Sequence, residues 1–299
     1  MHRRDVVAAI LGVALLVTGC ESGSASVGPA AEPSVGDAHP TKVLVVVEEN
    51  HTQAAALRDM TYLASLANAH GQTTNYRAVA HPSLPNYLAI AGGSTFGVTD
   101  DKEPVDHPLS GPSVFDSALL AGATAKTYAE AMPYPCALTS RGGYAARHNA
   151  WTYFADPSSR SNCQKYDVPS GTPASGALHE DIVAGRLPTL GMLIPDLCHD
   201  GHDCELSSAD EWLSQWLPAV MAGPDYRTGR LAIVVTFDED DESGPNTVLT
   251  VVVAPQISRV SSATSFTHYS LARYLGELSG AAPLRDARAA PSLRAAFPI

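Results

Sequence analysis

From residue 42 onward the chain alternates between continuous apolar runs and apolar residues at helical spacing. The continuous runs are rich in β-branched residues, which predicts buried strands at residues 42–47, 189–194, 231–237 and 248–254. Helical spacing predicts helices at 52–70, 113–121 and 270–278, and one that places Trp212, Leu213, Trp216 and Leu217 in the core. Strands that alternate with helices predict an α/β fold with a mainly parallel central sheet flanked by helices.

Local residue patterns refine this picture. Gly71 directly follows the first helix and is predicted to be its C-cap. Ser208 and Glu211 have the spacing of a capping box before the tryptophan-bearing helix. Residues 100–176 are less regular and rich in Gly, Pro, Ser and aromatic residues. We interpret them as a loop-rich insertion over the functional site and not as a separate domain.

The beginning of the chain has the pattern of an export signal followed by a tether. Arg3 and Arg4 precede an apolar stretch at 6–17, which is too short for an ordinary transmembrane helix. The stretch leads into Val-Thr-Gly-Cys, which resembles a bacterial lipobox; an ordinary signal peptide with a chance cysteine is the alternative. We predict a signal peptide at 1–19, a lipid on Cys20, a flexible tether at 20–40 and a domain at 41–299. The protein would then be exported and anchored to the cell membrane on its extracytoplasmic side.

Composition and net charge limit the classes of function that we expect. Hydrophobic residues make up 45% of the 299 residues, enough for one large domain with a closed core. The formal net charge is -12, and an acidic surface repels the phosphates of nucleic acids, so nucleic-acid binding is not expected. A local metal site would still attract a small phosphoester.

Four cysteines follow Cys20, and an even number in an exported chain favours disulfides. Three pairings are possible. We favour Cys136–Cys163 and Cys198–Cys204 because each pair closes a local loop. A thiolate zinc site is the alternative, but the sequence contains no CxxC pair.

Polar clusters directly follow the apolar runs, and ligand sites of open α/β sheets lie at those strand ends. Residues 48–51 (Glu-Glu-Asn-His) follow the first strand, and five consecutive acids begin at Asp238. Carboxylate and amide oxygens suit a hard divalent cation. A dense acid run beside a buried strand is also costly unless a cation neutralises it. A solvated strand end or a solvated charge run is the alternative.

A possible nucleophile lies in the segment 81–87, which has the sequence His-Pro-Ser-Leu-Pro-Asn-Tyr. Pro85 fits the first turn of a helix and so places Ser83 near the helix start. A helix start offers free amide groups and a positive end to a phosphoryl group. A serine there can attack phosphorus if a metal lowers its pKa. A plain N-cap serine is the alternative.

Histidines supply the remaining candidates. The loop 195–204 holds two histidines and three aspartates, among them Asp196, His199 and His202. His148 is a candidate for binding substrate oxygens, and His268, at the start of the last helix, is a candidate ligand. A surface or structural histidine is the alternative at both positions.

Together these segments resemble the phosphoesterase family that holds certain bacterial and fungal acid phosphatases and phospholipases C, within the alkaline phosphatase superfamily. The resemblance covers most of the chain after residue 41. Its motifs lie at residues 49–50, 81–87, 130–134, 147–149, 195–203 and 236–239.

The resemblance implies a role for each matching residue. Ser83 would be the nucleophile and form a phosphoserine intermediate, while His148 and His202 would contact the phosphoryl oxygens or the leaving group. A divalent cation (Ca, Mg, Mn, Zn or Fe) would be held by Glu49, Asn50, Ser83, Asp238 and Glu239. Possible ligands of a second metal, or residues that support the site from outside, are Asp196, His199 and His268.

The resemblance thus implies a metal-dependent, acid phosphatase-like phosphomonoesterase that acts on small phosphoesters. A phospholipase C-like diesterase is the alternative within the family. A sulfatase is disfavoured because Tyr87 stands where the sulfatase maturation pattern Ser-x-Pro-x-Arg has its arginine. A solute-binding lipoprotein is the alternative of another class, although the sequence lacks the two similar lobes typical of such proteins.

Overall fold

The computed structural model describes residues 1–2 and 39–299 of the chain. The strands there are β1 Lys42–Glu48, β2 Gly71–Thr73, β3 Tyr76–Arg77, β4 Ala125–Ala129, β5 Asp167–Pro169, β6 Leu190–Ile194, β7 Leu231–Phe237, β8 Thr250–Val253, β9 Val260–Ser262 and β10 Phe266–Thr267. β3 and β10 pair with each other, and the other eight strands form the central sheet.

The central sheet is mainly parallel, as predicted. Its strand order is β5-β4-β6-β1-β7-β8-β2-β9. Only β8 runs against its neighbours, β7 and β2, among the described strands; every other adjacent pair is parallel. The carboxyl ends of β4, β6, β1 and β7 therefore meet at one edge of the sheet, and the polar clusters of the sequence follow these ends.

Helices flank the sheet. They are α1 Gln53–Asp59, α2 Thr61–Ala69, α3 Ser83–Gly92, α4 Val114–Leu120, α5 Pro157–Tyr166, α6 Ala177–Val183, α7 Leu206–Ala222, α8 Pro224–Arg227 and α9 His268–Leu278. None of these helices, in the part of the chain that the structure describes, is long and apolar enough to span a bilayer.

The core confirms the strongest sequence patterns. Every residue of β7 is buried, and Val43 to Val47 in β1 are at most 2% exposed. Both strands lie inside the sheet with helices over them, which explains their unbroken β-branched sequence. Trp212 and Trp216 of α7 are also buried, as their helical spacing predicts.

The helix predicted at 52–70 is two helices, because the chain breaks at Met60, whose φ is -104° and ψ is 81°. Asp210 of α7 accepts hydrogen bonds from the backbone amides of Tyr62 at 2.8 Å and Leu63 at 2.9 Å. This carboxylate satisfies the start of α2, which local sequence could not reveal since Asp210 lies far along the chain.

Both capping predictions are wrong. His70 is the C-cap of α2, and Gly71 opens β2. A Cβ at Gly71 would lie 2.8 Å from Cε1 of Phe297, so close packing explains the glycine. α7 begins at Leu206, so Ser208 lies inside its first turn and does not cap it.

The segment 100–176 is more regular than we expected. Besides loops, it supplies α4 and α5 and the strands β4 and β5 of the central sheet. Its loop between β4 and α5 carries His148. Cys20, most of the predicted signal peptide and most of the predicted tether lie outside the described residues.

Candidate active site

The ends of β1 and β7 bring two of the predicted clusters together. The backbone amide of Asp238 donates to the carbonyl of Glu48 at 2.9 Å, which extends the pairing of the two strands. The backbone amide of Asn50 donates to Oδ1 of Asp238 at 3.1 Å. The carboxyl groups of Glu49 and Asp238 are both buried. Strand register therefore places the predicted cation ligands of both clusters side by side.

Ser83 is the first residue of α3 and lies against this cluster. Its Oγ–H donates to Oε2 of Glu49 at 2.9 Å, and the serine is 2% exposed. The hydroxyl of Tyr87, one helical turn later, donates to Oε1 of the same carboxylate. Both oxygens of Glu49 are thus held from α3.

Glu239 is held by the same segment. Nδ2 of Asn86 donates to Oε2 of Glu239 at 3.1 Å, and Nδ1 of His81 lies 3.0 Å from that oxygen. Oδ1 of Asn86 also accepts from the amides of Val79 and Ala80, which fixes the chain before α3. The motif 81–87 therefore positions Ser83 and Glu239 together.

The start of α3 is less open than we predicted. The amide of Leu84 donates to Oδ1 of Asp101 at 2.8 Å. This amide is therefore not free for a phosphoryl group, and Asp101 is a residue that sequence reasoning missed.

His148 reaches the cluster from the loop after β4. It is 1% exposed; its Nε2 lies 3.3 Å from Oε1 of Glu49, and its Nδ1 lies 3.0 Å from Oδ2 of Asp200. Its ring stacks on Tyr87 with centroids 5.1 Å apart and planes 10° apart. Neither Nε2 of His148 nor Oδ2 of Asp200 makes an aligned hydrogen bond with a described residue.

His202 lies next to His148, with ring centroids 6.1 Å apart. Nη2 of Arg147 donates to Nε2 of His202 at 3.1 Å, since a guanidinium cannot accept. The proton of a neutral His202 then sits on Nδ1, which donates to Oδ1 of Asp203 at 2.7 Å. His202 is partly exposed and so lies at the mouth of the site.

The other predicted ligands lie in two places. Nδ1 of His199 is 2.9 Å from Oε2 of Glu130 and 3.3 Å from Oδ1 of Asp196. His268 is buried elsewhere, with Nε2 donating to the carbonyl of Asp238. The structure therefore brings Asp196 and His199 together with Glu130 and does not place His268 in that group.

Electrostatics favour a cation among the carboxylates. Burial, and then the charges of Asp238 and Asp200, raise the pKa of Glu49 well above its usual value. Burial raises the pKa of Asp238 and of Asp200 to about 7 each. Burial and the charge of Asp238 raise the pKa of Glu239 to about 9. These groups repel one another when ionised, and a bound cation would relieve the repulsion.

The oxygens themselves fit a divalent cation. Oδ1 of Asn50 and Oδ2 of Asp238 are buried and have no hydrogen-bond partner among the described residues. Buried oxygens without partners are costly unless an ion or water satisfies them. A set of carboxylate and amide oxygens is what hard divalent cations prefer.

Both predicted disulfides are present. Cys136–Cys163 joins Cα atoms 5.3 Å apart, and Cys198–Cys204 joins Cα atoms 4.7 Å apart. The zinc–thiolate alternative is therefore wrong. The second bridge encloses Asp200 and His202, so it closes the loop that brings both residues to the site.

Comparison with known proteins agrees with this geometry. The model of the phosphoesterase family matches residues 50–243, which include every residue of the cluster except Glu49. The chain belongs to the phosphoesterase family. It is a phosphoric ester hydrolase similar to acid phosphatases, so the predicted enzyme class is confirmed. The solute-binding alternative has no support from these comparisons.

Curated relatives have phosphatase names. The chain is 32% identical over 260 residues to a phosphatidylinositol-3-phosphatase of Mycobacterium tuberculosis, covering 84% of this chain and 82% of that protein. It is 28% identical over 240 residues to the phosphate-repressible acid phosphatase of Penicillium chrysogenum, covering 77% of this chain and 56% of that one. An acid phosphatase of Aspergillus fumigatus is 27% identical, and the match covers 74% of this chain and 50% of that protein. The chain thus spans about half the length of these fungal relatives.

Solved structures agree on the fold. A protein in the alkaline phosphatase superfamily from Vibrio parahaemolyticus superposes with a TM-score of 0.55 at 11% identity, covering 86% of this chain and 71% of that one. A lipoteichoic acid synthase from Listeria monocytogenes gives 0.55 at 10% identity, with 89% and 80% covered. At such identities the likeness concerns the fold alone.

Besides Asp101, sequence reasoning missed three neighbours of the predicted residues. Tyr87 follows Ser83 by four residues, so helical spacing was a signal that both share one face. Asp200 and Arg147 lie inside motifs that the resemblance already included. No local signal shows that Asp200 contacts His148 or that Arg147 contacts His202, because those contacts join distant loops.

Proposed function

We propose that the protein is a metal-dependent, acid phosphatase-like phosphomonoesterase that uses Ser83 as its nucleophile. The observation that supports this most is the 2.9 Å hydrogen bond from Ser83 Oγ to Glu49, inside a buried group of acids that includes Asp238. A serine used only as a cap would have no reason to lie against a group of buried carboxylates. The phosphatase names of the curated relatives support monoesters over diesters.

Glu49, Asn50, Asp238 and Glu239 would hold the cation together with the hydroxyl of Ser83. When bound, the cation would lower the pKa of that hydroxyl and balance negative charge on the phosphoryl group. The chain's own contribution is to keep the ligands in place. Tyr87 fixes Glu49, and Asn86 fixes Glu239, both by direct hydrogen bonds from α3.

The reaction would proceed in two displacements. Ser83 Oγ loses its proton and forms a bond to phosphorus while the bond from phosphorus to the ester oxygen breaks, and the departing alcohol takes up a proton. Water then attacks the phosphoserine, breaks its P–O bond and releases inorganic phosphate. The Ser83 hydroxyl recovers its proton in this second step.

His148 and His202 would border the reacting group. Burial, with the charges of Arg147 and His202, lowers the pKa of His148 well below its usual value, so this ring is neutral. Asp200, beside Nδ1, would hold the ring in one orientation. His202, when protonated on both ring nitrogens, would give its Nε2 proton to the leaving alcohol after Arg147 releases this atom.

A substrate panel with one variant tests the proposal. We expect Ser83→Ala to lower kcat for p-nitrophenyl phosphate by about 10³-fold or more while the fold is retained. Ser65→Ala, on the exposed face of α2, is the matched control and should keep full activity. Acid-quenched wild-type protein should gain the mass of one phosphoryl group on the peptide that contains Ser83. Activity of Ser83→Ala within tenfold of wild type would remove Ser83 from its role, and faster turnover of bis-p-nitrophenyl phosphate would favour the diesterase.

We further propose that Cys20 is lipidated and holds the enzyme at the outer side of the cell membrane. The lipobox-like sequence before Cys20 supports this. Cys20→Ala should move the protein from the membrane fraction to the soluble fraction. Unchanged membrane association would contradict the anchor.

A further inference from the structure

Arg147 lies at the mouth of the site, and the proposed chemistry requires of it only that it release His202. Its only hydrogen bond to a described residue is the 3.1 Å contact from Nη2 to Nε2 of His202. No described carboxylate forms a salt bridge with it. In a chain of net charge -12, an arginine without an acidic partner beside the reacting group calls for an explanation.

The position of Arg147 relative to Ser83 follows from a series of contacts. Ser83 contacts Glu49, Glu49 lies 3.3 Å from His148, and the ring of His148 lies 6.1 Å from that of His202. Arg147 follows in this series through its hydrogen bond to His202, and no hydrogen bond or salt bridge joins its guanidinium to Ser83 or Glu49 among the described residues.

The chemistry of the guanidinium suits an oxyanion. A guanidinium carries five N–H donors in a planar fork that matches phosphate or carboxylate oxygens in pairs. The structure uses one donor for His202, so the remaining donors are available to a ligand at the site mouth. Because Arg147 contacts His202 and makes no described contact with Ser83 or Glu49, its position suits a group next to the scissile phosphoryl group.

We propose that Arg147 forms a subsite for a second oxyanion of the substrate. The preferred substrates are then phosphomonoesters whose alcohol portion carries another phosphoryl or carboxylate group. This inference rests on the proposed function, because it assumes that the scissile phosphoryl group binds at Ser83.

Matched substrate pairs test the subsite. The pair of fructose 6-phosphate and fructose 1,6-bisphosphate differs by a phosphoryl group, and the pair of glycerol 3-phosphate and 3-phosphoglycerate differs by a carboxylate. We expect wild type to have the higher kcat/KM for the doubly anionic member of at least one pair. Arg147→Met should lower kcat/KM for that member by about 10- to 100-fold, the range of charge-assisted hydrogen bonds. The value of kcat/KM for the singly anionic member should fall much less.

Two further variants sharpen the result. Arg147→Lys keeps the charge but loses the forked donor geometry. Its kcat/KM for the doubly anionic substrate should lie between those of wild type and Arg147→Met. Arg227→Met removes the same charge in α8, before the amino end of β7, and should leave the substrate ratios unchanged. Thermal melting of each variant checks folding.

The proposal fails if wild type shows no preference for the doubly anionic substrates, a result that needs no variant. It also fails if Arg147→Met lowers kcat/KM equally for all substrates, since Arg147 would then bind the scissile phosphoryl group or support the fold. Failure of the proposed function is distinguishable: Ser83→Ala would remain active, whatever the ratios show.

Discussion

The two halves of the site are built differently. Glu49 and Asp238 follow adjacent parallel strands, and the register of β1 and β7 alone brings them together. His148 and Asp200 come from loops after β4 and β6, outside the strands, although the backbone amide of Glu49 donates to the carbonyl of Asp200 at 2.8 Å. The half at the strand ends holds the oxygens that fit a cation, whereas the loop half holds the histidines. Rigid elements thus position the charges, and loops add the groups that contact the substrate.

The loop half relies on buried polar contacts for its rigidity. Nδ2 of Asn149, next to His148, donates to Oδ2 of Asp167 at 2.8 Å. Nε1 of Trp151 donates to Oδ1 of Asp116 at 3.2 Å. Both carboxylates are buried, so these contacts fix the chain on the side of His148 away from the site.

The largest effect should come from the strand half. Asp238→Asn removes a charge whose buried Oδ2 has no partner, so we expect loss of the bound cation and a fall in kcat of about 10³-fold or more. Elemental analysis and phosphatase assays measure both. Asp241→Asn, an exposed acid of the same run, should keep metal and activity. Unchanged metal content in Asp238→Asn would reject Asp238 as a ligand.

A smaller effect should come from the loop half. Asp200→Asn weakens the contact that orients His148, and we expect activity to fall about 10- to 100-fold, as for partners that orient a site. The cation should stay bound, because the strand half holds it. Loss of metal in Asp200→Asn would instead make Glu49, His148 and Asp200 the ligand group and overturn the division between the halves.

The two disulfides separate activity from stability. Replacing Cys198 and Cys204 by serine loosens the loop that carries Asp200 and His202. We therefore expect kcat to fall by a larger fraction than the free energy of unfolding. Replacing Cys136 and Cys163 opens a longer loop, of 27 residues against 6, and should lower the free energy of unfolding by about 1 kcal/mol more. Chemical denaturation and kcat measure both effects. Equal losses of activity and stability in the two double variants would contradict this difference.

The smallest expected effect is the dependence of protein stability on pH. Asp238 and Asp200 have a pKa of about 7 when folded and 3.8 ordinarily, so between these values the folded chain holds protons that the unfolded chain has released. The metal-free protein should therefore lose stability as pH rises from about 4 to about 7. A cation replaces those protons, so added Mn²⁺ should raise Tm more at pH 8 than at pH 5. An equal rise at both pH values would mean that Asp238 does not bind it.

The division of the site into strand ends and loops also explains what could be predicted from the sequence. The runs of β1 and β7 fixed the sheet, and Glu49, Asn50 and Asp238 could be placed because strand ends meet. Very short strands such as β3 and β10 offer too few residues for a pattern. The break at Met60 depends on Asp210, and the contact of His148 with Asp200 depends on two loops, so both needed long-range packing that spacing does not encode.

A crystal structure of the Mn²⁺-loaded protein, with the ion located by its anomalous scattering, tests the central claim most directly. We predict a peak coordinated by oxygens of Glu49, Asn50 and Asp238, with Ser83 Oγ in the same coordination sphere. A peak held only by Glu130, Asp196 and His199, with Ser83 uncoordinated, would contradict the account.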